Sequence, residues 1–179
     1  LYSNYSYLSE VARSTVGLAP GHNHFATMHL VTLKSGPLFL VDTLINRNLS
    51  AESLVDISVL AAEKVRCFGL QPNIALISFS DFGSDDAESS CEARRAVALL
   101  HERYPDLSVD GEMQIQTALQ LAQRDAKYPQ NKLKGKQVNV LVFPRLSAAN
   151  ACYQLLKAVG NADEVVGPIQ VGLARPIYF

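Results

Sequence analysis

Short apolar runs alternate with longer amphipathic segments along this chain. Four of the runs lead into polar or glycine-containing residues, a layout typical of buried strands followed by loops; they cover residues 74–77, 107–111, 138–144 and 165–171. Two further runs, at residues 25–34 and 37–42, flank Ser35-Gly36 and predict an antiparallel hairpin with a tight turn. The pattern therefore predicts at least six strands.

Helices are predicted between these strands, where apolar residues recur every three to four positions. The four predicted helices cover residues 50–68, 89–104, 114–127 and 147–159. Ser50 is suited to cap the first of them, and Gly69 is suited to end it. Strands that alternate with helices of this length indicate an α/β protein with a mainly parallel sheet, covered by helices on both faces. The hairpin adds antiparallel strands, so the predicted sheet is mixed.

Composition narrows the possible partners. The 179 residues fit one domain of ordinary hydrophobic content, 48%, and the net charge of −1 provides no basic field for nucleic acid. No run approaches the ~20 apolar residues that a membrane span needs, and no signal peptide opens the chain. The three cysteines are odd in number and lack metal-binding spacing, so we predict reduced core residues in a cytoplasmic protein. His22 and His24 have HxH spacing without an evident third ligand, which favours polar loop residues over a metal site.

Ligands of open α/β sheets usually bind at the carboxyl ends of the strands. We therefore expect a binding site among the loops that follow the strands at Ile77, Val109, Phe143 and Gly167. The chain does not begin with methionine and ends in an apolar run, which favours a fragment of a longer protein. The domain prediction is one unit over residues 1–179, with further sequence on either side.

Five sequence blocks resemble the phosphate acetyl/butyryltransferase family when they are taken together and in order. They are FLVDTLIN at 39–46, ISFS with GS at 77–84, VDGEMQ at 109–114, NVLVFP with a later Asn at 139–150, and GPIQVGLARP at 167–176. The resemblance covers residues 39–176 and is poor over the first ~35 residues. It implies a three-layer α/β/α fold of the phosphate acetyltransferase and isocitrate dehydrogenase type.

Two kinds of protein carry this domain, namely free-standing phosphate acetyltransferases and the long bacterial NADP-dependent malic enzymes, which have it at the carboxyl terminus. The segments SFSDFGS at 78–84 and VDGEMQIQTAL at 109–119 are more similar to the malic-enzyme form. In that form the domain is generally a sensor of acetyl-CoA rather than a transferase. The transferases continue after their Lys/Arg-Pro pair into VNDLSRG, whose serine and arginine carry the chemistry. Here Ile177-Tyr-Phe179 follows Arg175-Pro176, which removes polar groups that would polarise a thioester.

The resemblance implies a set of acetyl-CoA-binding residues and no catalytic residue. The implied set is Ser78, Ser80, Gly83, Ser84, Asp110, Phe143, Pro144, Asn150, Arg175 and Arg13. Arg175 is the favoured phosphate-binding cation, because a guanidinium can contact a phosphate through two hydrogen bonds. Six of them have a structural alternative: the three serines can cap the next helix, Asp110-Gly111 can form a turn, Asn150 can tie strand to helix, and Arg175 can form a surface ion pair.

The predicted function is therefore an acetyl-CoA-sensing regulatory and oligomerisation domain of an NADP-dependent malic enzyme. By this resemblance the parent enzyme converts malate to pyruvate, CO2 and NADPH, with its NADP and Mg or Mn sites in an upstream domain outside this chain. The expected partners are acetyl-CoA or a related acyl-CoA, that upstream domain, and further copies in a homodimer or larger oligomer. Two alternatives remain open, an active phosphate acetyltransferase and a dimerisation domain without a ligand.

Overall fold

The computed structural model describes residues 12–159 and 164–175 of the chain. After a short π-helical segment, Ala12–Val16, the strands are β1 (Ala26–Leu33), β2 (Gly36–Val41), β3 (Asn73–Ile77), β4 (Ser108–Met113), β5 (Val140–Val142) and β6 (Glu164–Val171). The helices are α1 (Ala51–Cys67), α2 (Glu88–Arg103), α3 (Ile115–Leu119), α4 (Leu121–Lys127) and α5 (Leu146–Val159).

The six described strands form one mixed sheet with the order β4-β3-β5-β2-β1-β6. β2, β5, β3 and β4 run parallel to one another, whereas β1 pairs antiparallel with both β2 and β6. The predicted hairpin and the mixed, mainly parallel sheet are thus confirmed. The carboxyl ends of β2 to β6 all lie at the same edge of this sheet.

Side chains of the central strands alternate between two hydrophobic cores, which produces three layers. Ile74 and Leu76 belong to the core under α1 and α2, whereas Ala75 and Ile77 belong to the core under α3 and α5. Because the strands are buried on both faces, each reads in the sequence as a nearly continuous apolar run. The α/β/α layering predicted from the sequence is confirmed.

Helix α1 follows the predicted bounds because its ends carry clear signals. The Ser50 side chain accepts a hydrogen bond from Ser53 N, and Gly69 has a positive φ of 74° after the last turn. The single helix predicted over 114–127 is wrong, because Gln120 (φ −94°, ψ 77°) separates α3 from α4.

Buried Arg124 explains how this break is stabilised. Its guanidinium lies in the core and donates to three backbone carbonyls, those of Ala118 at 3.0 Å, Leu133 at 2.8 Å and Lys136 at 2.8 Å. One of these carbonyls lies at the end of α3, and the other two lie in the loop before β5. The side chain therefore joins α3, α4 and that loop, which a straight helix would not allow.

One other expectation about position is also wrong: Asp110-Gly111 lies inside β4 rather than in a turn or in the loop after Val109. Gly167 lies inside β6, as the apolar run at 165–171 predicted. Gly111 is needed for close strand packing, since a Cβ there would lie 2.7 Å from the Leu76 carbonyl oxygen. Gly167 is needed against β1, where a Cβ would lie 2.6 Å from Cδ2 of His29. Close approach of neighbouring strands, not turn formation, accounts for both glycines.

The cysteines also differ from the prediction, because none of the three is a fully buried core residue. Cys67 is exposed at the end of α1, and Cys91 and Cys152 are partly buried. All three are free thiols. No helix in the described part of the chain is long and apolar enough to cross a membrane.

Candidate functional site

A cleft of about 460 Å³ opens at the carboxyl ends of β3, β4 and β5. Its lining residues are Ile77, Ser78, Phe79, Ser89, Gln114, Ile115, Gln116, Phe143, Pro144, Arg145 and Ala148. This volume lies within the range of about 300–1,000 Å³ that is usual for small-molecule sites.

The sheet topology explains why the cleft lies here. From β3 the chain leaves through α2 toward β4 at one end of the sheet, and from β5 it leaves through α5 toward β6 at the other end. β3 and β5 are neighbours, so the two connections diverge and leave a crevice between them. Such a switch point is the usual ligand site of open α/β sheets. The first turns of α2 and α5 form the walls through Ser89 and Ala148.

The cleft combines an apolar floor with neutral polar groups. Phe143 is buried beneath it, whereas Phe79 is 60% exposed at its margin. Ser78, Ser89, Gln114 and Gln116 supply hydroxyl and amide groups, and Arg145 is the charged side chain among the described lining residues. This lining can bind an amide-containing apolar chain with an anionic end. It offers no carboxylate, imidazole, amine or thiol for proton transfer or nucleophilic attack among those residues.

Of the ten residues implied by the resemblance, Ser78, Phe143 and Pro144 line this cleft. The Ser78 hydroxyl also lies 2.8 Å from the hydroxyl of buried Ser90, and this contact holds Ser78 against the start of α2. Ser80, Gly83 and Ser84 lie in the adjoining loop but are joined to one another and to Glu112.

Glu112, which was not among the sequence candidates, organises that loop from β4. Its Oε1 accepts hydrogen bonds from the Ser80 hydroxyl at 2.7 Å, Gly83 N at 2.9 Å and Arg94 Nη1 at 3.3 Å. The Ser84 hydroxyl in turn accepts from Asp81 N at 3.0 Å. The loop that borders the cleft is therefore held in one shape by a buried carboxylate beneath it.

Asp110 and Asn150 have structural contacts away from the cleft lining. The Asp110 carboxylate accepts from Lys132 N at 2.6 Å and from Gly111 N at 3.0 Å, so it holds the loop before β5. Asn150 donates through Nδ2 to the Thr43 carbonyl at 3.4 Å and links α5 to the segment after β2. Asp110 therefore holds a loop rather than a turn, and Asn150 ties helix α5 to the end of a strand.

Arg175 lies in a different depression. It lines a groove of about 600 Å³ between α1 and β6, together with Lys64 and Cys67. Arg13 lies in the π-helical segment Ala12–Val16. The structure therefore does not bring Arg175 together with the cleft at β3 and β5, and Arg145 is the cation that lies there instead. The sequence analysis missed Arg145, because an arginine just before a predicted helix carries no signal that marks it as a ligand-binding residue.

The histidines form structural contacts outside the cleft. The Asp56 carboxylate contacts Nδ1 of His22 at 2.6 Å and Nδ1 of His24 at 3.0 Å. Burial alone would raise the pKa of Asp56, but its hydrogen bonds from His22, Asn23 N and His24 outweigh burial and lower it. Among the described residues, no group of three or more His, Cys, Asp and Glu side chains could hold a metal ion.

His29 is buried in β1 and stacks on Tyr153, with ring centroids 4.0 Å apart. Its Nδ1 lies 2.8 Å from the Thr43 hydroxyl. Burial lowers the pKa of His29 to about 4, with a further contribution from the charge of Lys157. The imidazole is therefore neutral at physiological pH, as its position in the core requires.

These features define a three-layer α/β/α protein with a ligand cleft at the topological switch point of its sheet. A family model described as phosphate acetyl/butaryl transferase matches residues 2–179, and the chain belongs to this family. That match includes the first ~35 residues, over which the sequence motifs of the family are poorly matched.

Relatives of two kinds are similar to this chain. It is 40% identical to an NADP-dependent malic enzyme of Escherichia coli over 168 residues, which is 94% of the chain and 22% of that enzyme. It is 43% identical to a phosphate acetyltransferase of Treponema pallidum over 131 residues, 72% of the chain and 38% of that protein. A phosphotransacetylase structure from Streptococcus pyogenes matches with a TM-score of 0.86 and 29% identity, over 98% of this chain and 53% of that one. The chain thus spans about a fifth to a half of the length of these relatives.

Proposed function

We propose that this chain is an acetyl-CoA-sensing regulatory domain of an NADP-dependent malic enzyme, and that it does not itself transfer the acetyl group. The observation that carries the proposal is the cleft between β3 and β5, which is open and offers binding groups without acid–base groups among its described lining residues. The similarity to the Escherichia coli malic enzyme over 94% of the chain supports the parent activity.

The lining of the cleft suits the acyl-pantetheine arm of acetyl-CoA. That arm is a narrow chain with two amides and a thioester, so it needs apolar walls and a few hydrogen-bonding groups. Phe143, Pro144 and Ile115 supply apolar surface, and the side chains of Ser78 and Gln116 supply hydrogen-bonding groups. Sites of this kind orient a ligand through a small number of polar contacts.

The absence of transfer chemistry is proposed on two grounds. The described lining contains no group that could act as a general base, and Arg145 cannot do so because a guanidinium stays protonated. In addition, Ile177-Tyr-Phe179 occupies the positions at which transferases of this family carry polar residues. This segment lies outside the described residues, so the second ground rests on sequence alone.

The parent enzyme in this proposal oxidises malate to pyruvate and CO2 with NADP and a Mg or Mn ion in an upstream domain, as a cytoplasmic homo-oligomer. Acetyl-CoA would change its activity by binding one arrangement of subunits or domains better than another. A tenfold effect requires a difference of only about 1.4 kcal/mol in binding free energy between the two arrangements. Light scattering with and without acetyl-CoA tests whether the ligand alters the assembly.

Filling the cleft should weaken acetyl-CoA binding. Ala148 is exposed on the first turn of α5 and lines the cleft, so an Ala148→Trp side chain would occupy the space of the ligand. We expect acetyl-CoA affinity, measured by calorimetry, to fall at least about tenfold, which corresponds to ~1.4 kcal/mol.

The matched control is Ala151→Trp, which places the same side chain at an exposed position of α5 outside the cleft lining. This variant should bind acetyl-CoA as the unmodified protein does. Equal affinity in both variants, or no saturation with acetyl-CoA up to millimolar concentration, would contradict the proposal.

The second candidate function is phosphate acetyltransferase activity, which the similarity to the Treponema pallidum enzyme favours. It predicts that the full-length protein releases CoA from acetyl-CoA in the presence of phosphate. A thiol-specific colour assay measures this release directly. The regulatory proposal expects no phosphate-dependent release above the uncatalysed rate, whereas multiple turnovers would favour the transferase.

A further inference from the structure

The position of Arg145 in the cleft is fixed by its backbone. Leu146 N donates to the Arg47 carbonyl at 3.1 Å, and Leu49 N donates to the Pro144 carbonyl at 3.0 Å. Asn48 and Arg145 form an isolated antiparallel bridge. The segment before α1 therefore clamps the residue on both sides, and the guanidinium projects from a rigid point at the start of α5.

The surroundings of this guanidinium favour a negatively charged group. Arg145 immediately precedes α5, and the first turn of α2 forms the facing wall of the cleft. No side chain caps the start of α2, because the residue at its N-cap is Ala87. The positive ends of both helices therefore add to the charge of Arg145.

One acidic residue competes for Arg145. The Glu88 carboxylate lies 3.3 Å from Nη2 of Arg145, with the Glu88 side chain 85% exposed and that of Arg145 37% exposed. An exposed ion pair of this kind contributes little to stability, because water screens it and two long side chains must be ordered. A phosphate can accept two parallel hydrogen bonds from a guanidinium, which makes it a stronger partner than this carboxylate.

We propose that Arg145 is the phosphate-recognising residue of the cleft and that Glu88 is a counter-ion which an incoming phosphate displaces. The inference rests on the proposed function, because it assigns the pyrophosphate end of an acyl-CoA to this point and the thioester arm to the apolar floor. Glu88 holds the guanidinium at the mouth of the cleft in the absence of a ligand. The pair thereby sets the affinity of the cleft for phosphate-bearing ligands relative to neutral ones.

Two ligands that differ in their phosphates test this assignment in the full-length protein. Acetyl-CoA carries phosphates, whereas S-acetylpantetheine has the same thioester arm and none. Arg145→Gln should weaken acetyl-CoA binding about tenfold, the usual scale for a lost charge-assisted hydrogen bond, and should leave S-acetylpantetheine binding unchanged. Glu88→Gln should strengthen acetyl-CoA binding about two- to fivefold by removing the competing charge.

Arg95→Gln serves as the control, because Arg95 is exposed on α2 and does not line the cleft. It should bind both ligands as the unmodified protein does. Acetyl-CoA binding that Arg145→Gln leaves unchanged would overturn this inference alone, and so would an equal loss for both ligands, since that would indicate a purely structural role. Absence of saturable acetyl-CoA binding in the unmodified protein would overturn the proposed function as well.

Discussion

Arg124→Leu should lower the free energy of unfolding by about 3–5 kcal/mol, because each buried carbonyl left without its donor costs about 1–3 kcal/mol. Arg124 is fully buried and donates to the carbonyls of Ala118, Leu133 and Lys136. Leucine fills part of the space but donates nothing. The three carbonyls would then lose their partner in a place that water reaches poorly.

Urea denaturation followed by circular dichroism measures this loss. The free energy of unfolding of Arg124→Lys should lie between those of the unmodified protein and Arg124→Leu, since one ammonium group cannot reproduce the geometry of a guanidinium toward three carbonyls. Arg95→Met, at an exposed position on α2, should change the free energy of unfolding by no more than about 0.5 kcal/mol. A loss below about 1 kcal/mol for Arg124→Leu would show that the network contributes less than its burial indicates.

Gly111→Ala should also destabilise the protein strongly, by about 3 kcal/mol or more, because it combines backbone strain with a clash. Gly111 has a φ of 146°, and its Cβ would lie 2.7 Å from the Leu76 carbonyl oxygen and 3.1 Å from the Leu76 Cβ. Both contacts involve β3, which cannot move without disturbing its own pairing with β5. Thermal unfolding should show a large fall in midpoint temperature.

Gly135→Ala separates the cost of backbone strain from the cost of the clash. Gly135 also has a positive φ, 72°, but nothing lies within 4 Å of the position that its Cβ would occupy. Its substitution should cost about 1 kcal/mol, from backbone strain alone. If both variants unfolded at the same temperature, the close packing of β4 on β3 would not be the reason for glycine at position 111.

The sequence predicted the layers well because local patterns determine them. Residues of β3 alternate between the two cores, and Ser50 and Gly69 mark the ends of α1 by their own chemistry. The break at Gln120 was missed because its support, Arg124, depends on carbonyls of a loop up to twelve residues away. No periodicity in the sequence reports such a contact.

The sequence indicated part of the cleft. Of the ten residues that the family resemblance implied, Ser78, Phe143 and Pro144 line it, and they follow parallel strands whose carboxyl ends meet at one edge of the sheet. The charged residues were harder to predict, since Arg145 and Glu112 look like ordinary surface residues until the strand order is known. Asp110 was predicted to bind the ligand, with a turn as its structural alternative, but it lies in a strand whose glycine packs against Leu76.

A crystal structure of the protein with acetyl-CoA tests the central proposal most directly. It should show the thioester arm between β3 and β5, against Phe143 and Pro144, with a phosphate at the Arg145 guanidinium. Electron density for the ligand in the groove beside Arg175, or an empty cleft at saturating ligand, would contradict the account.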